Sequence, residues 1–231
     1  LPAPIKLGVA STEAVGGPRP NLFAQVVLHW NDDVVSAYPK LTIDDYERLV
    51  AGLPGRTIEA VDYYVLMVGA DGMEPDDWDF GSWHEPTVGI ELVTGGGGVF
   101  SAIWGNVFDC YGLEVYSDPM SEHIRGVGEQ GGTARVAVAS HAAWAGIIGE
   151  PIETARILWW QAGQGVRRDP LPLAVHLGTA EGQVWIGVGR SETRTPESPF
   201  YLGTDDVLVV FDAEAASRMG LEAASEANGP A

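Results

Sequence analysis

Glu91 and His176 are the residues whose types and spacing best suit acid–base chemistry. Each lies inside a short apolar run, 88–94 and 173–179, followed by a Gly-containing turn and a second apolar run. With two-residue turns, strand alternation sets Glu91 opposite Ala102 and His176 opposite Gly187, with Phe100 and Trp185 as aromatic diagonal neighbours. A carboxylate and an imidazole meeting on such a floor would form a general acid–base pair, and Trp104, Trp159, Trp160 and Trp185 would line a pocket around it. Plain solvent exposure of both side chains on an outer sheet face is the competing expectation.

A second constellation is acidic and aromatic. Residues 71–85 hold six acids, Asp71, Glu74, Asp76, Asp77, Asp79 and Glu85, with Trp78, Phe80 and Trp83 and no Lys or Arg. The spacing does not fit an EF-hand loop, which needs its central Gly and terminal Glu. The segment therefore reads as a recognition loop, with Asp76, Asp77, Trp78, Asp79, Phe80, Trp83 and His84 offered to a basic protein partner. Aromatic residues that merely pin a solvated loop to the domain are the alternative.

Other motifs carry less. Residues 126–131 spell G-x-G-x-x-G, but a strand-like run follows it and a helix-like one precedes it, the reverse of a dinucleotide site. It reads as a linker. The five histidines are dispersed, with no pair at helical spacing, so no metal site is predicted; three distant ones could converge only through the fold. The single cysteine, Cys110, has no local cation to stabilise a thiolate and reads as a buried, inert thiol. No cofactor is implied.

The elements that position these residues recur along the chain. Segment 53–60 matches 147–154 at an offset of 94, with Gly55, Ile58 and Glu59 equal to Gly149, Ile152 and Glu153. Segment 88–104 matches 173–189 at an offset of 85, with four identities in seventeen positions, and 23–28 weakly matches 133–138. The offsets place extra residues of the first copy within 69–86. Asp62 aligns with Arg156, a pair that could meet across an axis relating the copies. Strands are predicted at 58–67, 88–94, 99–104, 111–116, 133–139, 152–160, 173–179, 184–188 and 207–211. Two short helices are predicted, one capped by Thr42 with Asp45 three residues on, the other capped by Asp212 and stopped by Gly220.

These elements predict an α+β domain, mostly β, in which two tandem-related, hairpin-containing halves pack as one unit. Its parts would be an extended N-terminal segment (1–21), a first repeat (22–130) carrying the 69–86 insertion, a second repeat (131–220) and a tail (221–231). Net charge is −19, which disfavours nucleic acid and anionic membrane as partners. It is uneven: 22–130 carries −15 and 131–231 carries −5. One cysteine and the absence of a basic, apolar leader at the start suggest a cytoplasmic setting. Two functions fit. The first is a non-enzymatic interaction protein, inhibitor-like or immunity-like, that presents the acidic aromatic loop. The second is an enzyme or binding protein for a small, largely apolar ligand, with the Trp pocket and the Glu91/His176 pair between the halves.

Overall fold

The computed structural model describes residues 41–105, 111–160, 170–195 and 198–221. The expectations for 1–21, for the 23–28 match, for Cys110 and for all but the first residue of the tail lie outside the described residues. In the remainder the fold is mostly β, with two antiparallel sheets and two short α-helices. Helix α1 (Ile43–Ala51) starts at a capping box in which the Thr42 side chain accepts from the Asp45 N–H and Asp45 accepts from the Thr42 N–H. Helix α2 (Ala213–Arg218) is capped by the Asp212 carboxylate on the Ala215 N–H. Both caps satisfy N–H groups that a helix start leaves without partners.

The strands are β1 (Ile58–Val68), β2 (Glu74–Pro75), β3 (Trp83–Thr87), β4 (Gly89–Thr94), β5 (Gly98–Gly105), β6 (Gly112–Tyr116), β7 (Thr133–Ala137), β8 (Thr154–Trp160), β9 (Leu171–Gly178), β10 (Gln183–Ser191) and β11 (Phe200–Val210). One sheet runs β2-β1-β4-β5-β6, with β7 also paired to β1; the other runs β3-β11-β10-β9-β8. One apolar core joins both sheets and both helices, from Tyr46 and Ile58 to Trp185, Val209 and Ala216.

Turn length corrects the expected registers. Thr94 pairs with Gly98, so the β4–β5 turn has three residues, with Gly96 and Gly97 at φ +84° and +81°. Gly178 pairs with Gln183, so the β9–β10 turn has four. Glu91 therefore faces Ser101 rather than Ala102, and His176 faces Trp185 rather than Gly187. The glycine run permitted a longer turn than the minimal one, and cross-strand partners moved accordingly.

The 69–86 segment is more than a loop. Its end is β3, an edge strand pairing Trp83 with Val210, His84 with Val209 and Thr87 with Val207. All five β3 residues are buried. Pro86 is tolerated there because an edge strand has one face of its hydrogen-bonding ladder unused.

Candidate functional site

The acidic aromatic segment is where distant chain segments converge. Tyr63, in the centre of β1, is fully buried, and its hydroxyl lies 2.7 Å from His84 Nδ1. The same oxygen accepts a hydrogen bond of 3.0 Å from Trp144 Nε1–H. A hydroxyl that already accepts from the indole keeps its own proton satisfied only by donating, so Tyr63 donates to His84 Nδ1. His84 Nε2 then carries the imidazole proton and lies 3.5 Å from Asp79 Oδ1. On the other side of Asp79, His141 Nε2 stands 3.1 Å from Oδ2. His141 caps the short 3-10 turn Ala142–Trp144, its Nδ1 accepting from the Ala143 N–H. That bond assigns the proton of this ring to Nε2 as well.

Asp79, His84 and His141 are thus grouped closely enough for their donor atoms to surround an ion, all within 4.8 Å of one another. The hydrogen bonds describe a different arrangement, a carboxylate bonded by the His141 N–H and faced at 3.5 Å by the buried His84 Nε2, which makes no hydrogen bond. A divalent cation in the same place would need both Nε2 lone pairs, at the expense of the bonds from Tyr63 and Ala143. Burial pushes the His84 pKa down to about 4, against the pull of Asp79. The Gly81 N–H, followed by the two imidazoles, holds the Asp79 carboxyl below its ordinary range. Burial pushes the Tyr63 hydroxyl well up. The cluster is neutral inside and anionic at its solvent edge, where Asp79 is exposed.

Aromatic edges close around it. Trp78 packs edge-on to Tyr63, His84 and His141, with centroids 5.3, 5.0 and 5.6 Å away. Phe80 stacks on Trp83, which meets Phe200 edge-on. Trp83 and His84 are fully buried, so the aromatics of this segment belong to the core or its margin, not to an outward-facing set of anchors. Of the acids, Glu85 is buried and held by Arg194, whose Nε lies 3.0 Å from Oε1, and Asp76 takes Arg194 Nη1 at 2.9 Å. The same guanidinium lies over the Phe80 ring at 5.4 Å. Asp71, Glu74, Asp77 and Asp79 are left on the surface.

The other predicted residues are dispersed. Glu91 sits on β4 of the first sheet, its Oε2 accepting from the Met120 N–H at 2.6 Å and its Oε1 3.4 Å from Arg135. His176 sits on β9 of the second sheet, its ring packed on Trp185 at 4.6 Å and its Nε2 3.3 Å from Gln183 Oε1. They stand on different sheets with separate sets of partners. Asp62 pairs with Arg135 at 2.7 Å. Among the four tryptophans, Trp185 is in the core, Trp159 donates to Glu47 at 2.5 Å, and Trp160 is 48% exposed. Trp104 lines a cleft where the two sheets meet.

Sequence reasoning missed Tyr63, His141, Trp144 and Arg194 as members of the acidic segment's surroundings. Nothing local signals them, because each comes from a separate stretch of chain. Among the described residues no helix is long and apolar enough to cross a membrane. No family model, curated protein or solved structure matches the chain.

Proposed function

We propose that this is a non-enzymatic interaction protein that presents the carboxylates of the 71–79 segment to a basic protein partner. The observation that carries the reading is a division within that segment. Its aromatic residues are built into the fold, while Asp71, Glu74 and Asp77 are exposed and, among the described residues, enter no ion pair. Pairing of β2 with β1, Val68 with Glu74 and Met67 with Pro75, and the Asp76 N–H bond to the Leu66 carbonyl hold the backbone between these acids, so little loop ordering remains to be done on binding. The −15 charge of 22–130 would steer a cationic surface toward this face.

The test is capture of binding proteins at low and high salt by the wild-type chain and by D71K/E74K/D77K. A basic protein retained by the wild type, released by salt and lost to the variant is the expected result. Retention indifferent to salt, where screening acts over a Debye length of about 10 Å at 0.1 M, or equal retention by the variant, would overturn the proposal.

We also infer that the two halves arose by duplication. Support comes from reciprocal hydrogen bonds at matched positions: Gly55 N–H donates to the Ile152 carbonyl at 2.8 Å, and Gly149 N–H donates to the Ile58 carbonyl at 2.9 Å. Gly55 and Gly149 also share a left-handed φ, +83° and +79°. The orders β1-β4-β5-β6 and β8-β9-β10-β11 agree with the same pairing of halves.

A further inference from the structure

Strand β11 departs from its ladder at an acidic pair. Val188 pairs with Val207, but the next residue of β10, Gly189, pairs with Leu202, so residues 203–206 bulge out of β11. Gly203 turns the chain there with φ +73°. Bulges of this kind re-aim side chains, and they are enriched beside functional sites. Here the bulge delivers Asp205 and Asp206 to the cleft at the sheet junction, with Leu66, Val88, Ile103, Trp104 and Ile124 as its apolar lining and Arg125 among its polar residues. Asp206 is 3% exposed, and its Oδ1 has no hydrogen-bond partner. Thr87, also in the lining, holds φ +62°, a strained conformation for a β-branched residue.

A buried carboxyl oxygen without a partner costs about 1–3 kcal/mol. A strained backbone beside it adds to that cost. A ligand that donates to Oδ1 would offset the first of these costs.

We propose that the cleft binds a small primary alkylammonium ion, its ammonium donating to Asp206 and its alkyl chain lying against Val88, Ile103 and Trp104. Ammonium supplies the donor that Oδ1 lacks. The space, about 50 Å³, is that of roughly three or four water-sized groups, enough for the head and a few carbons. The charges around Asp206 are mixed: Glu85 on β3 and Asp205 on the same bulge act on it more strongly than Arg194 and Arg190, and Arg125 lies at the cleft. Burial, then Glu85 and Asp205, raise the empty carboxyl to about 8. Ammonium binding therefore expels a proton at neutral pH, and affinity increases as pH rises toward and through that value. This site shares no residue with the surface proposed to meet a protein partner, and either proposal can fail alone.

The experiment titrates the intact chain with n-propylammonium and with propionamide, its neutral counterpart, following the Trp104 indole N–H by NMR. Saturable shifts with propylammonium alone are expected, with affinity that grows with pH. Asp206→Asn should weaken binding by roughly tenfold to a hundredfold, the loss of a charge-assisted hydrogen bond, while Glu181→Gln in the β9–β10 turn should leave it unchanged. Equal shifts with propionamide, unaltered binding to Asp206→Asn, or no saturable shift would overturn the assignment. Should the Asp206 variant fail to fold, the wild-type comparison decides: shifts with propionamide equal to those with propylammonium refute a role for this carboxyl.

Discussion

The Tyr63 hydroxyl stands 2.7 Å from His84 Nδ1, with both residues fully buried and the two strands that carry them in different sheets. The hydroxyl also accepts from Trp144 Nε1. One oxygen therefore satisfies two buried nitrogens. Tyr63→Phe leaves both without a partner at almost unchanged volume, and should cost about 2–4 kcal/mol at one to two kcal/mol per orphaned group. Denaturant midpoints of the two proteins measure it. A loss below half a kcal/mol would mean that water replaces the hydroxyl.

His84 makes stability fall toward acid. Its imidazole has an ordinary value of 6.5 and is held at about 4 in the fold, so between these values the unfolded chain binds the proton more readily. Stability is therefore complete above pH 6.5 and declines as pH drops to 4, by on the order of 3 kcal/mol. Asp79, whose carboxyl is lowered, acts only below its ordinary value of 3.8, outside this window. Asp206 and Glu85, both raised, act with the opposite sign. The measurement that isolates His84 is the difference between wild type and His84→Gln across pH 4–6.5. It should shrink as pH falls, and a constant difference would show that the ring titrates normally.

Part of this was legible in the chain. The capping box at Thr42 and Asp45, the Asp212 cap and the hairpins at 88–104 and 173–188 are local patterns, and local patterns survive folding. Register was less so, because four consecutive glycines at 95–98 leave the turn length open and a one-residue change shifts every partner. The 71–85 segment stood out by composition, but composition did not tell which way its side chains face. Trp83 and His84 are buried because β11 offers an unpaired edge, and that edge lies more than a hundred residues away. The Arg194 ion pairs and the Asp206 bulge are equally non-local.

Within the acidic segment, cost should follow orientation. Trp83→Ala empties a fully buried site between Phe80 and Phe200 and should destabilise by about 3–5 kcal/mol. Asp77→Ala, on the surface, should stay within about half a kcal/mol. Thermal melts of the two variants check it. Equal effects would mean that the segment is not anchored as described.

Arg194 ties the same segment to the second sheet. From a φ of +55° in the turn after β10, its guanidinium reaches Glu85 at 2.9 Å through Nη2 and Asp76 at 2.9 Å through Nη1. Glu85 is buried, and its Oε2 also accepts from the Ser191 N–H. Removing the arginine leaves a buried carboxyl with its cation gone, a change that typically costs 3–5 kcal/mol, partly relieved here if the acid takes up a proton. Burial already raises the Glu85 carboxyl, with Arg194 as the main influence holding it down. Arg194→Ala should therefore raise it further and shift the variant's stability maximum to lower pH. Arg194→Ala/Glu85→Gln, which removes the buried charge at Glu85 and leaves only Asp76 without its cation, should recover part of the loss. A double variant as unstable as the two single losses added together would show that the residues act independently and that the ion pair does not hold β3 to the turn.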